Sequence, residues 1–191
     1  METLNEDKIV NENASANPDF LKQSVIFGAI TGFGLVLLSL LFYAIDLNTA
    51  SWVQYVSLLV LFAGIVYGTI TYRDKQGNGF LSYGRSLGFG VLISLFAGIV
   101  LGIYTFLFFQ YFDPSQLEQI WKMAEDRMLD QGLTDEQIDQ AMGFSKMFMT
   151  PIAISVSGLL SMVFWGTVFS LISSIFIKKV DDSFSGTFGQ S

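Results

Sequence analysis

The sequence predicts an all-α protein: a four-span transmembrane helix bundle with a periplasmic helix–turn–helix insertion between spans three and four. Three observations point there. Only 14 % of the residues are charged and 51 % are hydrophobic, whereas a soluble domain carries about a quarter charged residues. Four runs without a charged side chain, at about 24–45, 51–72, 86–112 and 151–177, each reach across a hydrocarbon core of ~30 Å at a helical rise of ~1.5 Å per residue. The basic residues gather in the segments on one side of those runs.

Residues 1–19 are polar and mildly acidic. They hold too little apolar surface to offset the entropy of ordering and read as a disordered tail. They have neither the basic start nor the apolar core of a signal peptide. The membrane domain then occupies 20–179, and the Ser- and Gly-rich 180–191 is expected to be a second disordered tail. The first run, Ser24 to Ile45, follows Lys22 and stops at Asp46. Leu47 to Ala50 make a short turn, with Asn48, Thr49 and Ser51 available as caps. A link this short forces spans one and two into an antiparallel hairpin. Trp52 and Tyr55 open the second run and Tyr67 and Tyr72 close it, the placement of interfacial aromatics.

Gly77-Asn78-Gly79 is a flexible turn by composition. Phe80, Leu81 and Tyr83 beside Arg85 suit a short segment lying at the headgroup level. The third run, Ser86 to Phe112, is 27 residues without a charge between Arg85 and Asp113. Asp113-Pro114 signals a helix start, opening an outer helical loop over 113–146. Leu117, Ile120, Trp121, Ala124 and Met128 form one helical stripe that ends at Gly132. Thr134-Asp135-Glu136-Gln137 reads as a capping box for a second helix with a weaker stripe of Ile138, Ala141, Met142 and Ser145. These two stripes are expected to rest on the membrane surface or on the span ends. Thr150-Pro151 starts the fourth span, which stops at Lys178-Lys179.

Four spans place the two tails and the second loop on one side, with Lys8, Lys22, Arg73, Lys75, Arg85, Lys178 and Lys179. The first loop has no basic residue, and the acid-rich third has Lys122, Arg127 and Lys146. This bias puts both termini in the cytoplasm. Lys75 and Arg85 are the residues expected to meet anionic lipid headgroups.

Within lipid, helices associate through close backbone approach and hydrogen bonds rather than the hydrophobic effect. The candidate seam residues recur about four apart: Gly28 and Gly32; Gly64 and Gly68; Gly90, Ser94, Gly98 and Gly102; and, in the fourth span, Ser157 and Ser161, then Gly166, Ser170 and Ser174. Trp165 lies mid-span and its indole N–H calls for an acceptor on a neighbouring helix.

Chemistry is sparse. With no His and no Cys, cysteine nucleophiles, Ser-His-Asp triads, imidazole proton shuttles and histidine-held haem are excluded. No catalytic residue, cofactor or metal site is assigned. Asp135, Glu136 and Asp139 cluster at a helix start but lack the spacing of a calcium loop. Transport paths are usually marked by charges inside the membrane, and the four runs contain none. Gln54 and Gln110 are their strongest polar groups, each near a span end. A nucleic-acid partner would need a basic surface, and the net charge is −7.

Gly79-Phe80-Leu81-Ser82-Tyr83-Gly84-Arg85-Ser86-Leu87, then Gly90-Val91-Leu92-Ile93-Ser94, resembles the signature of a four-span family. Tyr72-Arg73-Asp74, Phe112-Asp113-Pro114 and Leu133-Thr134-Asp135-Glu136-Gln137-Ile138 carry the same resemblance. That family is widespread in Bacteroidetes and catalogued as a domain of unknown function, DUF4199. The resemblance covers roughly Phe20 to Lys179. It implies a bacterial inner-membrane protein with an outer helical loop, and no activity or functional residue carries over. The reading that results is a non-enzymatic binding or structural membrane component. Its partners would be lipid, a second copy or another membrane protein. The alternative is a small-solute transporter or channel subunit. A membrane enzyme using the loop carboxylates ranks third.

Overall fold

The computed structural model describes residues 18–47, 52–76 and 81–177. Its elements are all helices: α1 (Pro18–Ala44), α2 (Val53–Gln76), α3 (Tyr83–Leu107), a π-helical turn (Phe108–Phe112), α4 (Ser115–Asp130), α5 (Asp135–Phe148) and α6 (Pro151–Ile177). Four stretches, Asp19–Ala44, Val53–Gln76, Tyr83–Phe112 and Pro151–Ile177, are long and apolar enough to cross a membrane. Residues 1–17 and 180–191 of the expected tails, the caps at Asn48 to Ser51 and the Gly77-Asn78-Gly79 turn lie outside the described residues.

Two spans start earlier than their charge-free runs. α1 begins at Pro18, so Pro18 and Asp19 belong to a helix and not to the tail. Proline's fixed φ suits a helix start, and Asp19 in the first turn complements the dipole. α3 begins at Tyr83, so Tyr83-Gly84-Arg85 is the first turn of the span helix and not a separate segment before it. Leu81, expected at the headgroup level, is only 4 % exposed and packs with Leu61, Ile65, Tyr72, Phe89, Ile93 and Ala97 in the core. The reason is that a charge-free run marks only the hydrocarbon layer. A helix continues through the headgroup layer, where the exposed Lys22 and Arg85 stay solvated.

The helix ends follow local rules. α1 closes on Asp46, which holds a left-handed φ of 54°, while Leu47 N–H donates to Phe42 C=O at 2.9 Å and Asp46 N–H to Tyr43 C=O at 3.1 Å. α4 closes the same way around Gly132, φ 80°, with Leu133 N–H on Met128 C=O at 3.2 Å. Both are Schellman motifs, and only the second uses the glycine that adopts this conformation without strain. The Thr134 N–H donates to Gln137 Oε1 at 3.0 Å, half of a capping box. Ala153 N–H donates to Thr150 Oγ1 at 3.2 Å and caps α6.

α3 is the axis of the bundle. Its most extensive contacts are with α6 and α1, while α2 packs against α1, α3 and α6. The outer pair, α1 and α6, have no comparable contact with each other. Alternating direction brings Phe20, Tyr72, Arg85 and Ile177 to one end, and Tyr43, Trp52, Asp113 and Pro151 to the other.

The helical loop departs from expectation. The stripes of α4 and α5 face each other instead of a membrane or the span ends: Ile138 and Met142 are buried, and Leu117, Ile120 and Trp121 half-buried. Two amphipathic helices joined by a short link each supply the nearest apolar surface for the other. The pair's main contact with the bundle is α4 on the π-helical turn.

Candidate functional site

The bundle interior is held by small residues whose missing side chains are filled from neighbouring helices. A Cβ at Gly28 would stand 2.5 Å from Phe96 Cβ and 2.9 Å from the Ile93 carbonyl oxygen, and one at Gly32 3.1 Å from Ala97 Cα. These are backbone approaches of α1 to α3. The Thr31 side chain fills the space over Gly64, joining α1 to α2, and a Cβ at Gly68 would stand 2.7 Å from Ile93 Cδ1. Between α3 and α6 the exchange is reciprocal. Ser170 fills the space over Gly90, and Ser94 fills the space over Gly166. Gly98 and Gly102 differ: an added Cβ would meet Leu159 at 3.5 Å and the Ser155 carbonyl at 3.6 Å, both ordinary contacts.

On α6 the buried stripe runs through Ser155, Gly166, Ser170, Ser174 and Ile177. Ser157 and Ser161 instead face outward. A strict step of four residues drifts around a helix of 3.6 residues per turn, so the stripe shifts register along the span. Trp165, whose N–H is expected to find an acceptor on a neighbouring helix, is 40 % exposed and lies against Phe164 and Phe169, with no acceptor among the described residues. Gln54 and Gln110 are exposed near span ends.

The interior hydroxyls are used locally. Ser24, Thr31, Thr69, Ser155, Thr167 and Ser170 each donate to the carbonyl four residues back in the same helix, at 2.6–2.8 Å. Ser174 donates across to Ser86 at 3.0 Å, a buried tie between α6 and α3. Among the described residues, the only buried side-chain nitrogen or oxygen without a partner is Trp121 Nε1. That atom lies in the loop hairpin, where Lys146 Nζ sits 5.5 Å from its ring centre.

One end of the bundle is basic and aromatic. Tyr72 stacks on Phe89 at 4.4 Å, and Phe20 sets its edge against both. Arg85 lies 5.8 Å above Phe20 and donates to the Tyr72 hydroxyl at 3.3 Å. It has no carboxylate partner among the described residues. Lys75 is exposed nearby on the last turn of α2. Arg73 donates to the Ile177 carbonyl at 3.2 Å and so caps the C-terminus of α6 from α2.

The opposite end is tied by Asp113. One carboxylate oxygen accepts from the Ser115 hydroxyl at 2.5 Å and the Ser115 N–H at 3.2 Å. The other accepts from the Tyr43 hydroxyl at 2.8 Å and from Gln116 at 3.2 Å. Donation from Ser115 above all, then from Tyr43, holds the Asp113 carboxyl below its ordinary range. The bond joins the end of α1 to the start of α4.

Two apolar grooves open on the outer surface near this end. One, of about 380 Å³, lies between α3 and α6 along Gly102, Ile103, Phe106, Ile152, Ser155 and Leu159. The other, of about 340 Å³, runs along Leu40, Tyr104, Phe108, Tyr111 and Phe112. Among the described residues no three of His, Cys, Asp or Glu converge on a point that could hold a metal ion.

No curated protein and no solved structure matches this chain. The family model described as protein of unknown function DUF4199 matches residues 26–179. That range takes in all four spans but the first turns of α1, and the chain belongs to the DUF4199 family.

Proposed function

We propose that this is a multi-pass protein of a bacterial inner membrane, with both termini cytoplasmic, that acts by binding and not by catalysis. Its seam residues, Gly28, Gly32, Gly64, Gly68, Gly90, Ser94, Gly98, Gly102, Ser170 and Ser174, hold a passive scaffold. Lys75 and Arg85 contact anionic lipid headgroups from the cytoplasmic side. The observation that carries this reading is how the interior hydroxyls are used. A transport path needs polar groups available to a solute, and here the buried hydroxyls are committed to their own helices or to one another. Arg85, exposed and steadied by Tyr72 and Phe20, supports the headgroup contact.

Native mass spectrometry on protein extracted together with its bilayer tests this. We expect retained anionic phospholipid in excess over the bulk membrane, lost when Lys75→Gln and Arg85→Gln are combined. A retained lipid mixture equal to the bulk would sink the headgroup contact. Solute flux into reconstituted vesicles above that of empty ones would move the assignment to the transporter or channel alternative.

A further inference from the structure

Once α4 and α5 have buried their stripes in each other, a second apolar face remains on α5. Phe144, Met147 and Phe148 are 68 %, 75 % and 59 % exposed, and the rings of Phe144 and Phe148 pack at 4.9 Å. They keep this exposure with every described element in place. We propose that this end of α5 is immersed in the interfacial layer of the adjacent leaflet, with lipid as its occupant.

Connectivity sets the height of the patch. α6 has 27 residues, about 40 Å of helix, which matches the ~40–45 Å of a bilayer including its headgroup regions. Pro151 at its start therefore stands in the headgroup layer. Two residues, Met149 and Thr150, separate Phe148 from Pro151, and those three Cα steps can span no more than ~11 Å. Phe148 and Met147 are thus held within reach of the lipid, and Phe144 lies one turn further along. Tyr111 and Phe112, exposed at the end of the neighbouring span, belong to the same level.

Charge placement agrees. Asp135, Glu136 and Asp139 occupy the first turns of α5, and Asp135 lies about 20 Å along the axis from Phe148 at 1.5 Å per residue. From Gln140 to Thr150 the only charged residue is Lys146, whose amine is drawn over the Trp121 ring. A long basic side chain and a Trp are the residue types that settle at a membrane interface. The helix is polar where it leaves the membrane and apolar where it meets it. This inference needs only that α6 crosses a bilayer. It is independent of which side the loop faces and of the contacts of Lys75 and Arg85.

The chain has no native cysteine, so single thiols can be placed without background. Phe144→Cys, Met147→Cys and Phe148→Cys, all at exposed positions, would carry an environment-sensitive fluorophore in phosphatidylcholine–phosphatidylglycerol vesicles. Glu136→Cys serves as the water reference and Leu160→Cys as the lipid reference. The expected result is blue-shifted emission at the three sites, with quenching by shallow brominated lipid several-fold above that at residue 136. Emission and iodide quenching equal to those at residue 136 would overturn the proposal. Shielding from both quenchers together with disulfide cross-linking between copies would overturn it in favour of a second chain.

Discussion

Gly28 and Gly98 both sit at four-residue spacings in spans, yet their surroundings differ. At Gly28 an added methyl meets the Ile93 carbonyl oxygen at 2.9 Å, and that atom belongs to the helix backbone and cannot rotate away. At Gly98 the nearest atom would be Leu159 Cγ at 3.5 Å, an ordinary contact. Gly28→Ala is therefore expected to lower stability by about 1–3 kcal/mol through overpacking, while Gly98→Ala stays near wild type. Thermal melts in detergent compare them directly, and equal melting points would refute the distinction. Gly98→Leu is a harsher case, because its branched chain must displace Leu159 and Met162.

Asp113 acts on two elements at once, receiving Tyr43 from α1 while capping α4 through Ser115. Its carboxyl is lowered from the usual 3.8. A depressed carboxylate contributes stability that is present above its unfolded value and is lost as pH falls through the folded one. Wild type should therefore melt higher than Asp113→Asn at neutral pH, and the gap should shrink on acidification below about pH 4. A gap that stays constant from pH 7 to pH 3 would contradict the assignment. Whole elements were the legible part of the chain: the four spans, the Gly132 stop and the capping box follow from charge, glycine and cap residues. Pairings were not legible. A period of four marks a stripe on a helix but not its partner, so nothing in the sequence told that Thr31 would fill the space over Gly64 or that Ser94 and Ser170 would exchange places with glycines. The loop stripes misled for the same reason, since apolar periodicity shows that a face is buried and not against what. Leu81, expected at the headgroup level, lies in the core instead, because a short apolar stretch beside a span carries no periodic signal of the face it packs against.

At the scale of the molecule the charges divide between two ends. Lys22, Arg73, Lys75 and Arg85 share one, while Asp113, Glu118, Glu125, Asp126, Asp130, Asp135, Glu136 and Asp139 follow the opposite one. Under the proposed orientation, changing those four basic residues to Gln should give a mixed population in a C-terminal topology reporter assay. An unchanged single orientation would show that the described basic residues do not set it.

The axial position of α3 bears on how the protein is made. A ribosome delivers spans in chain order, so α1 enters lipid before the helix that covers Gly28 and Gly32 exists. Its pairing with α2 must last through synthesis of residues 83–112 with that notch open to acyl chains. The final span arrives to find Gly90 and Ser94 already waiting for Ser170 and Gly166. Biogenesis therefore has two open intervals, one that closes when α3 covers Gly28 and Gly32 and one that closes when α6 covers Gly90.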